Sequence, residues 1–147
     1  MKFPTLLLIP ALTCGLAIGQ SKPDKTLYER VGRYDAISAI VDEFLKGVRA
    51  DPQLSRFIGR SADSLKRARQ LFKEQLCALT GGPCVYLGRD MKTAHGGLHI
   101  NEADWAASTK YMGAALDKAH VSGSEKSEFL ALIESFKPQI AEDAAKP

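Results

Sequence analysis

The sequence lacks the patterns that build β-sheets, nucleic-acid surfaces and disulfide-rich scaffolds. No window alternates apolar and polar residues as a half-buried strand does. Three cysteines in 147 residues are too few for a disulfide-dense mini-domain. The net charge of +3 is small, and no stretch interleaves Lys or Arg with aromatic residues, which argues against a nucleic-acid partner.

Recognisable catalytic patterns are also absent. We find no catalytic triad, no paired-carboxylate site and no glycine-rich phosphate loop in the sequence. The hydrophobic content of 45% and the charged content of 25% are those of an ordinary globular domain. A chain of 147 residues can bury one substantial core, so we expect a single domain.

The N-terminus has the pattern of an export signal. Lys2 gives a positive start, Phe3 to Ile18 is almost uncharged, and Gly19 closes a small-x-small cleavage site. We therefore expect a signal peptide at residues 1–19, a polar leader at residues 20–25, and a periplasmic or secreted protein. In the competing interpretation, Cys14 carries a lipid anchor. A membrane span is not expected, because the apolar run is too short and too rich in proline.

The rest of the chain predicts an all-α domain at residues 26–140 and a flexible tail at residues 141–147. Apolar residues recur at helical spacing in four long stretches, and proline or glycine separates them. The predicted N-terminal helix caps are Thr26 with Glu29, Asp35, Asp63 or Ser64, Asn101, and Ser122 with Glu125.

The segment from Gly81 to Asn101 is long for a connection within a helical bundle, and such segments are often functional. It contains His95, whose neighbours at helical spacing present it toward an apolar pocket. A neutral imidazole there is either a core residue or a ligand of a metal or haem iron. His99 is expected at the surface or beside a ligand residue, because Gly96 and Gly97 disfavour a helix with two histidines on one face. His120 is expected at the surface, since it precedes the polar turn Val121-Ser122-Gly123.

After cleavage of the signal, Cys77 and Cys84 are the remaining cysteines. Export exposes them to an oxidising compartment, and the glycines between them allow the chain to fold back into a disulfide. Two buried thiols are an equally good interpretation. A zinc site with a histidine is weaker, since no fourth ligand is evident.

Several short motifs in this order resemble the truncated haemoglobins of the group-one type. The resemblance runs from Leu27 to about Ile140. Its motifs are Leu27-Tyr28-Glu29-Arg30-Val31-Gly32, Val41-Asp42-Glu43-Phe44, Ala50-Asp51-Pro52-Gln53-Leu54, Phe57, Gly81-Gly82-Pro83, Tyr86-x-Gly88, Met91-Lys92-x-x-His95, Ile100 and Trp105.

The resemblance implies a two-over-two helical sandwich that binds haem b non-covalently, with His95 as the proximal iron ligand. Covalent attachment through Cys-x-x-Cys-His is excluded, because that string is absent. Apolar haem contacts would come from Phe57, Met91, Leu98, Ile100 and Trp105. Each of these residues is equally explained as ordinary core.

On the ligand side of the haem, the resemblance implies Phe44, Leu45, Phe57, Ile58, Lys66 and Gln70. Many relatives have a tyrosine where this chain has Leu45, so the hydroxyl that donates to bound oxygen is missing. Gln70 is the expected hydrogen-bond donor, with Lys66 one turn before it. The stretch from Gln70 to Gly81 is about two residues longer than in many relatives, and a shift placed earlier brings other residues of this helix to the haem.

The implied function is reversible binding of a diatomic gas: oxygen, nitric oxide or carbon monoxide. One alternative is a six-coordinate haem redox protein of the cell envelope, with Lys66 or another side chain on iron. A second alternative is a haem enzyme that detoxifies nitric oxide or peroxide, which needs an unidentified reductase. A third alternative is a cofactor-free helical module. The expected oligomeric state is a monomer.

Overall fold

The computed structural model describes residues 25–59 and 61–142, and all regular structure in these ranges is helical. The α-helices are α1 (Leu27–Val31), α2 (Arg33–Ala50), α3 (Ala62–Leu79), α4 (Met91–His95), α5 (Glu102–Lys118), α6 (Gly123–Glu134) and α7 (Lys137–Ile140). A 3₁₀ turn spans Ser55–Phe57 between α2 and α3. The all-α prediction is confirmed for the described ranges.

The predicted caps are confirmed at two helices. Thr26 and Glu29 form the capping box of α1, and Asn101 forms one with Asp104 at α5. Asp35, predicted as a cap, instead lies in the first turn of α2, because Gly32 adopts a φ of 108° and α2 begins at the next residue. A left-handed glycine reverses the chain without a side-chain cap.

Two other predicted caps are wrong. Ser61 caps α3 in place of Asp63 or Ser64, since its hydroxyl accepts the backbone N–H of Ser64 at 3.1 Å. Ser122 precedes α6, but its side chain makes no capping hydrogen bond. Serine at either end of a short polar run can satisfy a helix N-terminus, and the sequence pattern does not say which one does.

The four long helices form two pairs. α2 packs on α3, α5 packs on α6, and α2 crosses α5 between the pairs. Phe129, Ile37, Leu116 and Met112 are almost fully buried where these helices meet. The short α4 packs against α7 rather than joining either pair. The core therefore closes one end of the sandwich and leaves the segment with α4 beside the other.

A disulfide joins Cys77 near the end of α3 to Cys84 in the following loop, with their Cα atoms 5.7 Å apart. Of the two equal interpretations, the structure shows the disulfide and not two free thiols. Because the two cysteines are bonded to each other, they are not available as zinc ligands. The chain turns back at Gly82, where a Cβ atom would lie 2.7 Å from the Cys77 Sγ and 2.8 Å from its carbonyl oxygen. The close turn therefore needs glycine.

The predicted signal peptide, the start of the leader and most of the predicted tail lie outside the described residues. Within residues 25–59 and 61–142, no helix is both long enough and apolar enough to cross a membrane.

Candidate functional site

An apolar cavity of about 410 Å³ lies between the helix pairs and α4. Cofactor and small-molecule sites are typically roughly 300–1,000 Å³. Nine of the eleven predicted site residues line this cavity: Phe44, Leu45, Phe57, Ile58, Met91, His95, Leu98, Ile100 and Trp105. The structure thus gathers residues from five segments of the chain into one site.

His95 stands in the cavity wall at the end of α4. Its Nδ1 lies 2.9 Å from the carbonyl oxygen of Met91, one turn earlier. That acceptor favours the tautomer with hydrogen on Nδ1, which leaves the lone pair of Nε2 free to bind a metal. The carboxylate of Asp90 caps α4 through Thr93, and these hydrogen bonds lower the pKa of Asp90. Local structure therefore fixes the direction of the imidazole.

The other two histidines do not line the cavity. The side chain of His99 is 81% exposed, and its Nδ1 lies 3.0 Å from the Glu142 carboxylate. His120 is exposed beyond the end of α5. Both surface predictions are confirmed. Within residues 25–59 and 61–142, no cluster of three or more His, Cys, Asp or Glu side chains could hold a metal ion by itself.

Hydrocarbon side chains of α2 and of the middle of α3 form one wall of the cavity. The rings of Phe44 and Phe72 meet edge to face, with centroids 5.5 Å apart. Leu45 lies beside them, and the 3₁₀ turn adds Phe57. Edge-to-face aromatic pairs contribute about 0.5–1.5 kcal/mol beyond the effect of their buried area. This wall therefore presents a fixed apolar surface to the cavity.

Lys66 and Gln70 do not line this cavity, so their predicted placement is wrong. Both are exposed, and Gln70 donates its amide to Glu74 at 2.9 Å and to the hydroxyl of Tyr34 at 3.3 Å. The cavity is lined instead by Ala68 and Phe72, two residues later in each case. Two helical residues turn the chain by about 200°, which exchanges the inner face for the outer one.

The sequence itself contains a pattern that places Lys66 and Gln70 on the outer face of α3. Ala68, Phe72, Leu76 and Leu79 recur at helical spacing along α3 and form an apolar stripe, and all four line the cavity. A helix has one inward face, so that stripe excludes Lys66 and Gln70 from it. Sequence reasoning also missed Gln75, which lies on the same stripe and donates its side-chain amide to the Met91 sulfur at 3.1 Å.

The segment that follows the disulfide supplies two further cavity residues, Tyr86 and Arg89. The hydroxyl of Tyr86 donates to the carbonyl oxygen of Arg89 at 2.6 Å, and burial raises the pKa of this phenol. Arg89 is exposed at the outer side of the loop. A guanidinium at the edge of an apolar cavity is suited to a ligand with carboxylate groups.

Asp104, buried at 1% exposure, ties the 3₁₀ turn to α5. It accepts hydrogen bonds from the Gln53 amide at 2.8 Å and from Arg56 at 2.7 Å, and the Arg56 guanidinium lies 4.5 Å from the centre of the Phe57 ring. Burial opposes ionisation of Asp104. Hydrogen bonds from Gln53 and the Asn101 backbone, with the charge of Arg56, nevertheless hold its pKa below the usual range.

We expect Asp104→Asn to lower the free energy of unfolding by about 2–3 kcal/mol at pH 7, because charge-assisted hydrogen bonds of a buried group are lost. The folded pKa is lowered, so the contribution is present above the unfolded pKa of about 3.9 and disappears as the pH falls through the folded value. Urea unfolding at pH 7 and pH 3 measures both effects.

The matched control is Asp63→Asn, an exposed carboxylate in the first turn of α3. We expect Asp63→Asn to lower the free energy of unfolding by less than about 0.5 kcal/mol. Equal unfolding midpoints for the two variants at pH 7 would contradict the role assigned to Asp104.

The fold and the cavity together define a class of protein. A flat apolar cofactor with carboxylate side chains fits the apolar walls, the guanidinium of Arg89 at one edge, and the single histidine among the lining residues. One neutral imidazole is the donor set of a five-coordinate haem iron. The arrangement is that of a helical haem pocket of the globin class.

Comparison with known proteins identifies the family. Residues 26–142 match the model of the bacterial-like globin family. A group 1 truncated haemoglobin of Mycolicibacterium paratuberculosis is 32% identical over 116 residues, covering 79% of this chain and 84% of that protein. Another, from Tetrahymena pyriformis, is 31% identical over 114 residues, covering 78% of this chain and 92% of that protein.

Solved structures agree. The Fe(III) crystal structure of a truncated haemoglobin from Tetrahymena pyriformis has a TM-score of 0.73 and 26% identity, covering 80% of this chain and 98% of that one. A group II truncated haemoglobin from Bacillus anthracis has a TM-score of 0.72 and 26% identity, covering 81% of this chain and 93% of that one.

The chain therefore belongs to the bacterial-like globin family and, within it, to the truncated haemoglobins of the group-one type. The predicted two-over-two fold is confirmed. Membership of this family implies that the protein binds haem.

Proposed function

We propose that His95 binds the iron of haem b and that a diatomic gas binds reversibly at the opposite coordination position. The single observation that carries this proposal is the hydrogen bond from His95 Nδ1 to the Met91 carbonyl, 2.9 Å long, in the wall of the cavity. It orients the ring and leaves Nε2 as the donor. The haem supplies the ligand chemistry, and the protein supplies orientation and access.

The side chains of the chain have distinct parts in this proposal. Trp105 and Ile100, both buried, would contact the porphyrin from α5 and the segment before it. Arg89 would pair with a haem carboxylate at the cavity edge. The Nε1–H of Trp105 donates to Glu134 at 2.8 Å, which fixes the indole ring in its place.

Six-coordination through Lys66 loses its support, because Lys66 is exposed on the outer face of α3. Its neighbours there are Asp63, Arg67 and Gln70, which line a separate shallow depression. The open gas-binding form is therefore the better proposal. We also propose export to the periplasm or the medium, and the Cys77–Cys84 disulfide supports an oxidising compartment.

Haemin titration tests the proposal. We expect a saturable Soret band at one haem per chain. We also expect the melting temperature to rise by roughly 10 °C when free haemin exceeds its dissociation constant about 100-fold, because haem binds the folded state. Haemin that leaves both the absorption spectrum and the melting temperature unchanged would overturn the proposed function.

A further inference from the structure

We infer that the ligand face of this cavity offers no hydrogen-bond donor to a bound gas, so that the site selects carbon monoxide and nitric oxide over dioxygen. The inference rests on the proposed function and specifies its ligand class. It depends on where the structure places each polar side chain around the cavity.

The wall away from α4 is made of hydrocarbon. α2 contributes Phe44, Leu45 and Val48, and α3 contributes Ala68, Leu71 and Phe72. The segment around the 3₁₀ turn adds Leu54, Phe57 and Ile58. None of these side chains carries an N–H or O–H group. A gas bound opposite His95 would meet this wall first.

The nearest amide is already engaged elsewhere. Gln75 lines the cavity, but its Nε2–H donates to the sulfur of Met91 at 3.1 Å. Met91 lies on α4, one turn before His95, so this contact holds the amide toward the helix that carries the proximal imidazole. The amide predicted for the ligand face, that of Gln70, points away from the cavity toward Glu74.

The remaining polar groups of the cavity hydrogen-bond to other atoms or lie on other segments. Arg89 is exposed at the cavity edge, where the proposed function assigns it to a haem carboxylate. The Tyr86 hydroxyl donates to the Arg89 carbonyl, and the Trp105 indole N–H donates to Glu134. Ionised Asp104 can only accept hydrogen bonds. Ser108 lies on α5, one turn from Trp105.

The lack of a donor affects the three gases differently, because they differ in polarity. On a ferrous haem in this cavity, dioxygen would be the most polar of the three gases and would gain most from a nearby hydrogen-bond donor, whereas carbon monoxide and nitric oxide would gain little. Donors and polarity around the ligand position therefore decide which gas is retained. Without a donor, dioxygen loses that stabilisation and the other two gases keep their affinity.

The experiment adds the missing donor at Leu45. We expect Leu45→Tyr to slow dioxygen dissociation by at least about tenfold relative to Leu45→Phe, which adds the same ring without the hydroxyl. Carbon monoxide dissociation should differ by less than about twofold between the two variants, since that ligand gains little from a donor. Flash photolysis and stopped-flow mixing of the haem-loaded variants measure these rates.

Two readouts do not depend on the rates. The C–O stretching frequency of the carbon monoxide complex should be the same in the wild type and Leu45→Phe and lower in Leu45→Tyr, because a donor polarises the ligand. In the haem-free protein, Met91→Leu should shift the Gln75 side-chain amide signals in NMR spectra, since it removes their sulfur acceptor.

The inference is overturned if Gln75→Leu or Ser108→Ala speeds dioxygen dissociation from the otherwise unchanged protein by about tenfold. One of those groups would then be donating to the ligand. That result leaves haem binding and the proposed function intact. Absence of a Soret band in the wild type would instead overturn the proposed function itself.

Discussion

We expect His95→Ala to abolish the sharp Soret band of the haem-loaded protein. The alanine removes the donor atom that the structure holds in the cavity wall by a 2.9 Å hydrogen bond from Nδ1 to the Met91 carbonyl. We expect haem affinity to fall by more than about 100-fold, since partners that only orient a ligand already contribute roughly 10–100-fold. Haemin titration followed by absorption measures the effect.

The control for this variant is His99→Ala. His99 lies four residues later, and its side chain is 81% exposed beside Glu142. It should leave the Soret band unchanged. Imidazole added to His95→Ala should restore the band in part, because the vacated space accepts a ring of the same size. If the Soret band is the same in the wild type and in His95→Ala, His95 is an ordinary core residue and not the iron ligand.

We expect loss of the Cys77–Cys84 disulfide to lower the stability of the protein strongly. The seven-residue separation closes a short loop. On the chain-entropy estimate, opening such a loop costs about 2–3 kcal/mol, or roughly 10 °C in melting temperature. We therefore expect Cys84→Ser to melt well below the oxidised wild type in differential scanning calorimetry.

The same variant should release haem faster, because the disulfide anchors the loop that carries Tyr86 and Arg89 to α3. Transfer of haem to excess apomyoglobin measures the release rate. Wild type treated with dithiothreitol is the matched control, and it should behave like Cys84→Ser without any change of sequence. Equal stability and equal haem release in the oxidised and reduced forms would show that the bridge has neither role.

Periodicity and local chemistry predicted most of the fold. The caps at Thr26 and Asn101 were predictable because each depends on residues only three positions apart. The break at Gly32 was predictable because glycine tolerates a positive φ. Asp35 and Asp63 were misassigned as caps because several polar residues near a helix start can each satisfy its free N–H groups.

The candidate site was predicted unevenly. His95 was found because a histidine in a long segment between glycines, at a position that matches a family motif, is a specific signal. Lys66 and Gln70 were placed by counting residues along a helix whose length differs from that of many relatives. An alignment error of two residues in α3 exchanges its inner and outer faces. The side-chain chemistry of Lys66 and Gln70 suits a haem ligand site on either face, so it did not reveal the error.

The sequence by itself determined the helices and their order. It also predicts the export signal and His95 as the ligand of haem iron, and both stay predictions. Those properties depend on local pattern and on single residues. Only the tertiary structure decided which face of α3 meets the cavity, that Gln75 is engaged by Met91, and that Cys77 reaches Cys84. These depend on the rotation of one helix against others and on atoms distant in sequence, which periodicity does not encode.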